Sequence, residues 1–189
     1  MRSLCHPPRG RFPGLIAAAV IAALGFASLA GAQTAASDVA VKAAFIFNFA
    51  KFAEWPTMPA ASPIALCIFG DGNIADALGE TVRGQNISGH PLNVWQPLES
   101  SAWRLCQLLF VSDVELRRSS IGLEQIKALP VLTISDGKGF SQGTGIIEFY
   151  VEGGRMRFAI NVDAAQRSGL RLSSRLLGLA TIVRDGHAQ

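Results

Sequence analysis

The chain has 189 residues, 17 Lys plus Arg against 14 Asp plus Glu, and three cysteines. Three of the basic residues, Arg2, Arg9 and Arg11, precede Ala32 and no acidic residue does, so the chain beyond Ala32 is neutral. A neutral body gives no support to nucleic-acid or anionic-membrane binding, and about 157 residues suit one domain with a sizeable core.

The three arginines lead into an uncharged run, LIAAAVIAALGFASLAGA, from Leu15 to Ala32, closed by the small-x-small pattern Ala30-Gly31-Ala32. This reads as a secretory signal peptide (1–32) cleaved after Ala32, which places the remaining 33–189 in the periplasm as a single domain. The competing reading is an uncleaved anchor, because the run approaches the roughly 20 residues that span a bilayer. No cysteine follows the run, so a lipid anchor is not expected.

Next comes VKAAFIFNFAKFAEWP, Val41 to Pro56, with five large aromatic residues and two lysines. At about 100° per residue, Asn48, Lys51 and Glu54 share one arc, while Lys42 falls on the other side among Phe45, Ile46, Phe49 and Ala53. Phe47 interrupts the polar arc. The pattern predicts a helix up to the turn at Trp55-Pro56, apolar nearly all round, and therefore deeply buried or covered by a partner. The Lys42 stem is expected along apolar surface with its ammonium reaching a carboxylate or water, and Lys51 on the partner-facing or solvent side.

Beyond a Pro-, Ala- and Ser-rich loop, the apolar stretch IALCIFG from Ile64 predicts a buried strand stopped by Gly70-Asp71-Gly72. A helix is expected over 74–82, strands at LNVWQ from Leu92 and CQLLFVS from Cys106, a helix from Asp113 to Leu129, and a strand at VLTIS from Val131. Strands alternating with helices predict an α/β fold: a largely parallel sheet with helices on both faces. IIEFYVE and RMRFAIN then flank Gly153-Gly154 as a hairpin. Two short helices follow, capped by Asp163 and Ser173, the second carrying Leu176 to Val183.

Cys5 leaves with the leader, so Cys67 and Cys106 are the remaining pair, and an even count after export favours a disulfide over two separate buried thiols. Bridging needs Cα atoms within about 7 Å. That makes the first and third strands neighbours and favours the flavodoxin-like order 2-1-3-4 over the Rossmann order.

Chemistry-bearing patterns are few. GFSQG, Gly139 to Gly143, fits a nucleophile elbow, but Asp136-Gly137-Lys138 intervenes after the strand, a strand rather than a helix follows, and the only downstream histidine is His187. The plainer reading is a glycine turn. The alternative is a loop whose N–H groups at Gly139 and Gly143, with Lys138, contact an anionic ligand. Glu148 and Glu152 share a strand face and are expected to form an exposed ladder with Arg155 and Arg157. His90 and His187 are isolated, and no carboxylates have ligand spacing, so neither a metal nor another cofactor is expected. No catalytic residues are assigned, and a binding or regulatory module is favoured over an enzyme.

The chain resembles the YfiR-like family of periplasmic regulators. The resemblance rests on VKAAFIFNFAKFAEWP, CIFGD, CQLLFVS, VLTISDGKGFSQGTGIIEF and RFAINVDAAQRSGLRLSSRLLGLA, in order from about Val39 to Val183. It implies a protein that represses an inner-membrane diguanylate cyclase by binding its periplasmic domain, in cyclic di-GMP signalling and biofilm control. It also implies relief of repression by an outer-membrane lipoprotein, and a homodimer is expected. The partner surface is assigned to the first helix: Lys42, Phe45, Asn48, Phe49, Lys51 and Trp55, with each aromatic open to a core role instead. Phe45 and Phe47 stand where relatives often carry tyrosine, and a second cysteine pair found in some relatives is absent. The alternative function is a periplasmic small-molecule-binding accessory protein of a receptor or transporter, using a cleft at Lys138, Gly139 and Gly143.

Overall fold

The computed structural model describes residues 27–56 and 58–186. The predicted leader therefore lies, for residues 1–26, outside the described residues, as does His187. The described residues divide between Asp38 and Val39 into two units. No helix among the described residues is long and apolar enough to cross a membrane.

Helix α1 (Ala27–Lys51) leads into strand β1 (Ala53–Glu54), β2 (Ile64–Phe69), α2 (Gly72–Val82), β3 (Asn86–Ile87) and β4 (His90–Trp95). A 3-10 turn at Ser100–Leu105 precedes β5 (Leu108–Val111), α3 (Asp113–Leu116), α4 (Ser120–Ile126) and β6 (Leu132–Ser135). A second 3-10 turn, Phe140–Gln142, leads to β7 (Ile147–Glu152), β8 (Arg155–Asn161), α5 (Val162–Arg167), β9 (Arg171–Leu172), α6 (Ser174–Leu177) and β10 (Thr181–Val183).

The main sheet runs β10-β8-β7-β6-β5-β2-β4-β3, with parallel pairing from β4 through β2, β5 and β6 to β7. The four strands predicted first thus stand in the expected order, second-first-third-fourth. β7 and β8 are antiparallel, joined at Glu152↔Arg155 across Gly153 (φ 57°) and Gly154 (φ 73°). Two successive positive φ values are what a two-residue turn matching the strand twist demands, and glycine meets them without a Cβ clash.

Side chains alternate across the sheet, so each central strand feeds two cores. Leu66, Ile68, Leu108, Phe110, Leu132 and Ile134 pack with Ile46 and Phe49 of α1 and Ile74 and Leu78 of α2. On the other face Cys67, Leu109 and Val111 pack with Trp103, Leu123 and Ile126. Both faces are covered, which is why these strands read as continuous apolar runs.

Four local expectations are corrected. α1 stops at Lys51, four residues before Trp55, because Ala53 and Glu54 pair instead with Leu172 and Arg171 of β9. The helix expected over 113–129 is two short ones, interrupted between Leu116 and Ser120. α5 is capped by Asn161, whose side chain accepts from the Ala164 N–H at 2.8 Å, not by Asp163. Ser173 does cap its helix, but the helix ends at Leu177 and Thr181–Val183 extend the sheet beside β8.

Candidate functional site

The predicted site residues lie on two features, the α1 surface and the loop between β6 and β7. On α1 from Val41, the residues turned outward are Val41, Ala44, Asn48 and Lys51, spaced three or four apart as one helical stripe. The Lys51 ammonium stands 5.4 Å from the centre of the Phe47 ring. That contact explains an aromatic on the polar arc: half-buried Phe47 carries the lysine on its face.

The other aromatics serve the interior. Phe49 is fully buried, 4.9 Å from Phe158 and 5.5 Å from Phe149 between ring centres. Phe45 is half-buried in the same cluster, 5.6 Å from Phe158 and 5.9 Å from Phe49. Phe149 and Phe158 are cross-strand partners in the hairpin, so α1 rests on an aromatic pair that the β7–β8 register sets. Trp55 is half-buried and donates its indole N–H to the Gln107 carbonyl at 2.9 Å, while the Gln107 side chain accepts from the Ala65 N–H. Phe49, expected at a partner surface, is thereby corrected to a core residue. Phe45 and Trp55 present only part of their rings outward.

Lys42 crosses from α1 to the end of β6, where its ammonium pairs with Asp136. The other Asp136 oxygen accepts from the Asp113 N–H at 2.8 Å, at the first residue of α3. Both side chains of the pair are about four-fifths buried, at 19% and 21% exposure. One carboxylate therefore fixes the rotation of α1 and the start of α3 together. The expected carboxylate for the Lys42 ammonium is Asp136, a partner that sequence reasoning left unnamed.

The glycine loop is organised from within. Glu148, 8% exposed on β7, accepts from the N–H of Gly139 and the N–H of Ser141, each at 2.9 Å, and from the Ser141 hydroxyl at 2.7 Å. Gly143 donates its N–H to the Phe140 carbonyl. Both N–H groups proposed for an external anion are thus committed, Gly139 to a carboxylate of the protein itself and Gly143 to a backbone carbonyl. Backbone capture of an anion at Gly139 and Gly143 is corrected on that ground. The ladder is corrected too: Glu152 faces Arg157 at 3.9 Å, while Glu148 has left it. Ser141 is 1% exposed and donates its hydroxyl to Glu148, so it is not held out at the surface as the serine of a nucleophile elbow is. Lys138 stays exposed beside an open cleft of about 230 Å³ bounded by Leu116, Leu123, Glu124 and Thr144.

The loop is tied to the end of the chain as well. Asn161 donates to the Ser141 carbonyl at 2.8 Å and to Asp185 at 3.0 Å, and Asp185 also pairs with Arg167. His90 contacts the Ser62 carbonyl through Nδ1 at 2.8 Å. No group of three or more potential metal ligands occurs among the described residues. Cys67 and Cys106 form a disulfide, with Cα atoms 5.9 Å apart.

The model of the YfiR/HmsC-like family, DUF4154, matches residues 39–181, and the chain belongs to that family.

Proposed function

We propose that this member of the YfiR/HmsC-like family is an exported, non-catalytic regulator that represses an inner-membrane diguanylate cyclase by binding its periplasmic domain. The observation that carries the reading is the family match from residue 39 to residue 181, which takes in α1 from Val39 onward and the whole main sheet as far as the first residue of β10. The outward stripe Val41, Ala44, Asn48 and Lys51, held at one rotation by the Lys42–Asp136 pair, supports a protein contact there. Half-buried Phe45, four residues from Val41 on the same helix, borders that stripe. Sequestration by an outer-membrane lipoprotein and assembly as a homodimer complete the proposal.

Removing the gene should raise cellular cyclic di-GMP and biofilm formation, and a photo-crosslinker at Lys51 should capture a membrane protein carrying a cytoplasmic GGDEF domain. Unchanged cyclic di-GMP, with no cyclase captured, overturns the reading. The cleft beside Lys138 favours the second reading, a small-molecule-binding accessory protein of a receptor or transporter. Its mark is a gain in thermal stability with a metabolite, about 2.7 kcal/mol at a hundred times the dissociation constant.

A further inference from the structure

β4 lies one short strand from the end of the main sheet. Its inner side pairs with β2 from Ile64↔Leu92 to Cys67↔Trp95, but on its outer side β3 reaches only His90 and Pro91. Alternate residues of a strand point their N–H and C=O groups to opposite sides. Among the described residues, no backbone group from Asn93 to Gln96 bonds outside the β2 ladder. Folded proteins usually blunt such an edge with lysine, proline or a covering segment. Pro91 lies where β3 already covers β4, and Pro97 follows the strand, but Leu92 to Gln96 between them carries neither lysine nor proline, and Trp95 is 37% exposed.

Helix α2 runs beside this open edge and leaves a groove of about 470 Å³, bounded by Asp76, Gly79 and Glu80 on the helix, by Arg83 just past its end, and by Val94 and Trp95 on the strand. Gly79 is informative. Glycine weakens a helix interior, yet this one has no positive φ, and a Cβ added to it would meet nothing within 4 Å. Neither backbone conformation nor packing calls for glycine at that position; its effect is to leave the groove unfilled. Of the charged residues in its walls, Arg83 and Glu80 pair with each other at 2.6 Å, which leaves Asp76, in no ion pair among the described residues, as the uncompensated charge.

We infer that the β4–α2 groove receives an extended peptide segment of a partner protein, added to β4 as a further strand, with a lysine or arginine facing Asp76. An open edge accepts only extended backbone, and the pocket beside it selects the alternate side chains. The site is separate from the α1 surface and does not depend on the cyclase reading.

The test titrates the 15N-labelled protein with the peptide Ac-Thr-Lys-Val-Lys-Val-Thr-NH2 and with its counterpart carrying Glu for Lys. The lysine peptide should give saturable amide shifts at residues 93–96 and 75–83, and bind at least about tenfold more tightly than the glutamate peptide at low salt. Asp76→Asn should erase most of that preference. Gly79→Gln, a change that favours the helix and has room for its side chain, should keep or raise the melting temperature and weaken the lysine peptide about tenfold. No saturable shifts at β4, equal affinity for the two peptides, or full binding by Gly79→Gln each overturns the inference. Shifts at β4 that grow with protein concentration alone assign the edge to a second copy and overturn it as well.

Discussion

A carboxylate at position 148 holds the glycine loop shut from the inside, and its neighbours explain why the position is misread from sequence. Glu148 and Glu152 do share a strand face, as period-two alternation requires. Glu148, however, stands between Ser135 of β6 and Ala159 of β8, whereas Glu152 pairs with Arg155 at the hairpin tip. The same face is interior at one end of β7 and exposed at the other. A buried donor without a partner costs about 1–3 kcal/mol, and Glu148→Ala strands two N–H groups and a hydroxyl. Half-buried Gly139 can regain water, so the expected total is about 2–4 kcal/mol in urea unfolding. Glu148→Gln keeps an acceptor oxygen and should cost roughly half as much. A loss below about 0.5 kcal/mol for the alanine variant would mean that the loop is held by something else.

At the scale of elements, α1 was largely legible. The wheel places Lys42 with the buried stripe and Lys51 on the outer arc, because helical spacing is a local property of the chain. The end of the helix was not legible, since β1 forms only by pairing with β9, more than a hundred residues later. The same failure occurs at the C-terminus, where Thr181–Val183 become strand only because the edge of β8 is there to receive them. The core and surface roles on α1 separate by stability. Phe49→Ala removes a fully buried ring from the Phe149–Phe158 cluster and should cost about 3–5 kcal/mol. Lys51→Glu, on the exposed stripe, should stay within about 0.5 kcal/mol of the parent while weakening capture of the proposed membrane partner. A costly Lys51→Glu with a harmless Phe49→Ala would invert the assignment of the two faces.

For the whole molecule, the sheet order was legible because one covalent inference constrained a non-local pairing: bonded Cys67 and Cys106 require β2 beside the start of β5. The register bears this out, with Cys67 opposite Leu109 of β5 and Trp95 of β4. The polar ties at Glu148, Asn161 and Asp136 had no comparable signal, because each joins groups whose proximity exists only after the sheet has formed. The two bonded cysteines stand 39 positions apart in sequence. In the chain-entropy account this constraint on the unfolded chain stabilises by about 4 kcal/mol, an upper figure because residual structure in the unfolded state reduces it. Cys67 is nevertheless flanked by ladder partners on both sides, and its face of the sheet is covered by Trp103, Leu123 and Ile126. The native arrangement therefore does not depend on the bond for its geometry. The Cys67→Ser/Cys106→Ser double variant should fold with the parent's near-ultraviolet circular dichroism, and its urea midpoint should fall by an amount equivalent to about 2–4 kcal/mol. Intact mass before and after reduction reports the bond in the parent. Two free thiols in the purified protein would remove the bond and the reason given for the strand order. An unfolded double variant would show that packing around Trp103 is too weak to hold this face of the sheet without the crosslink.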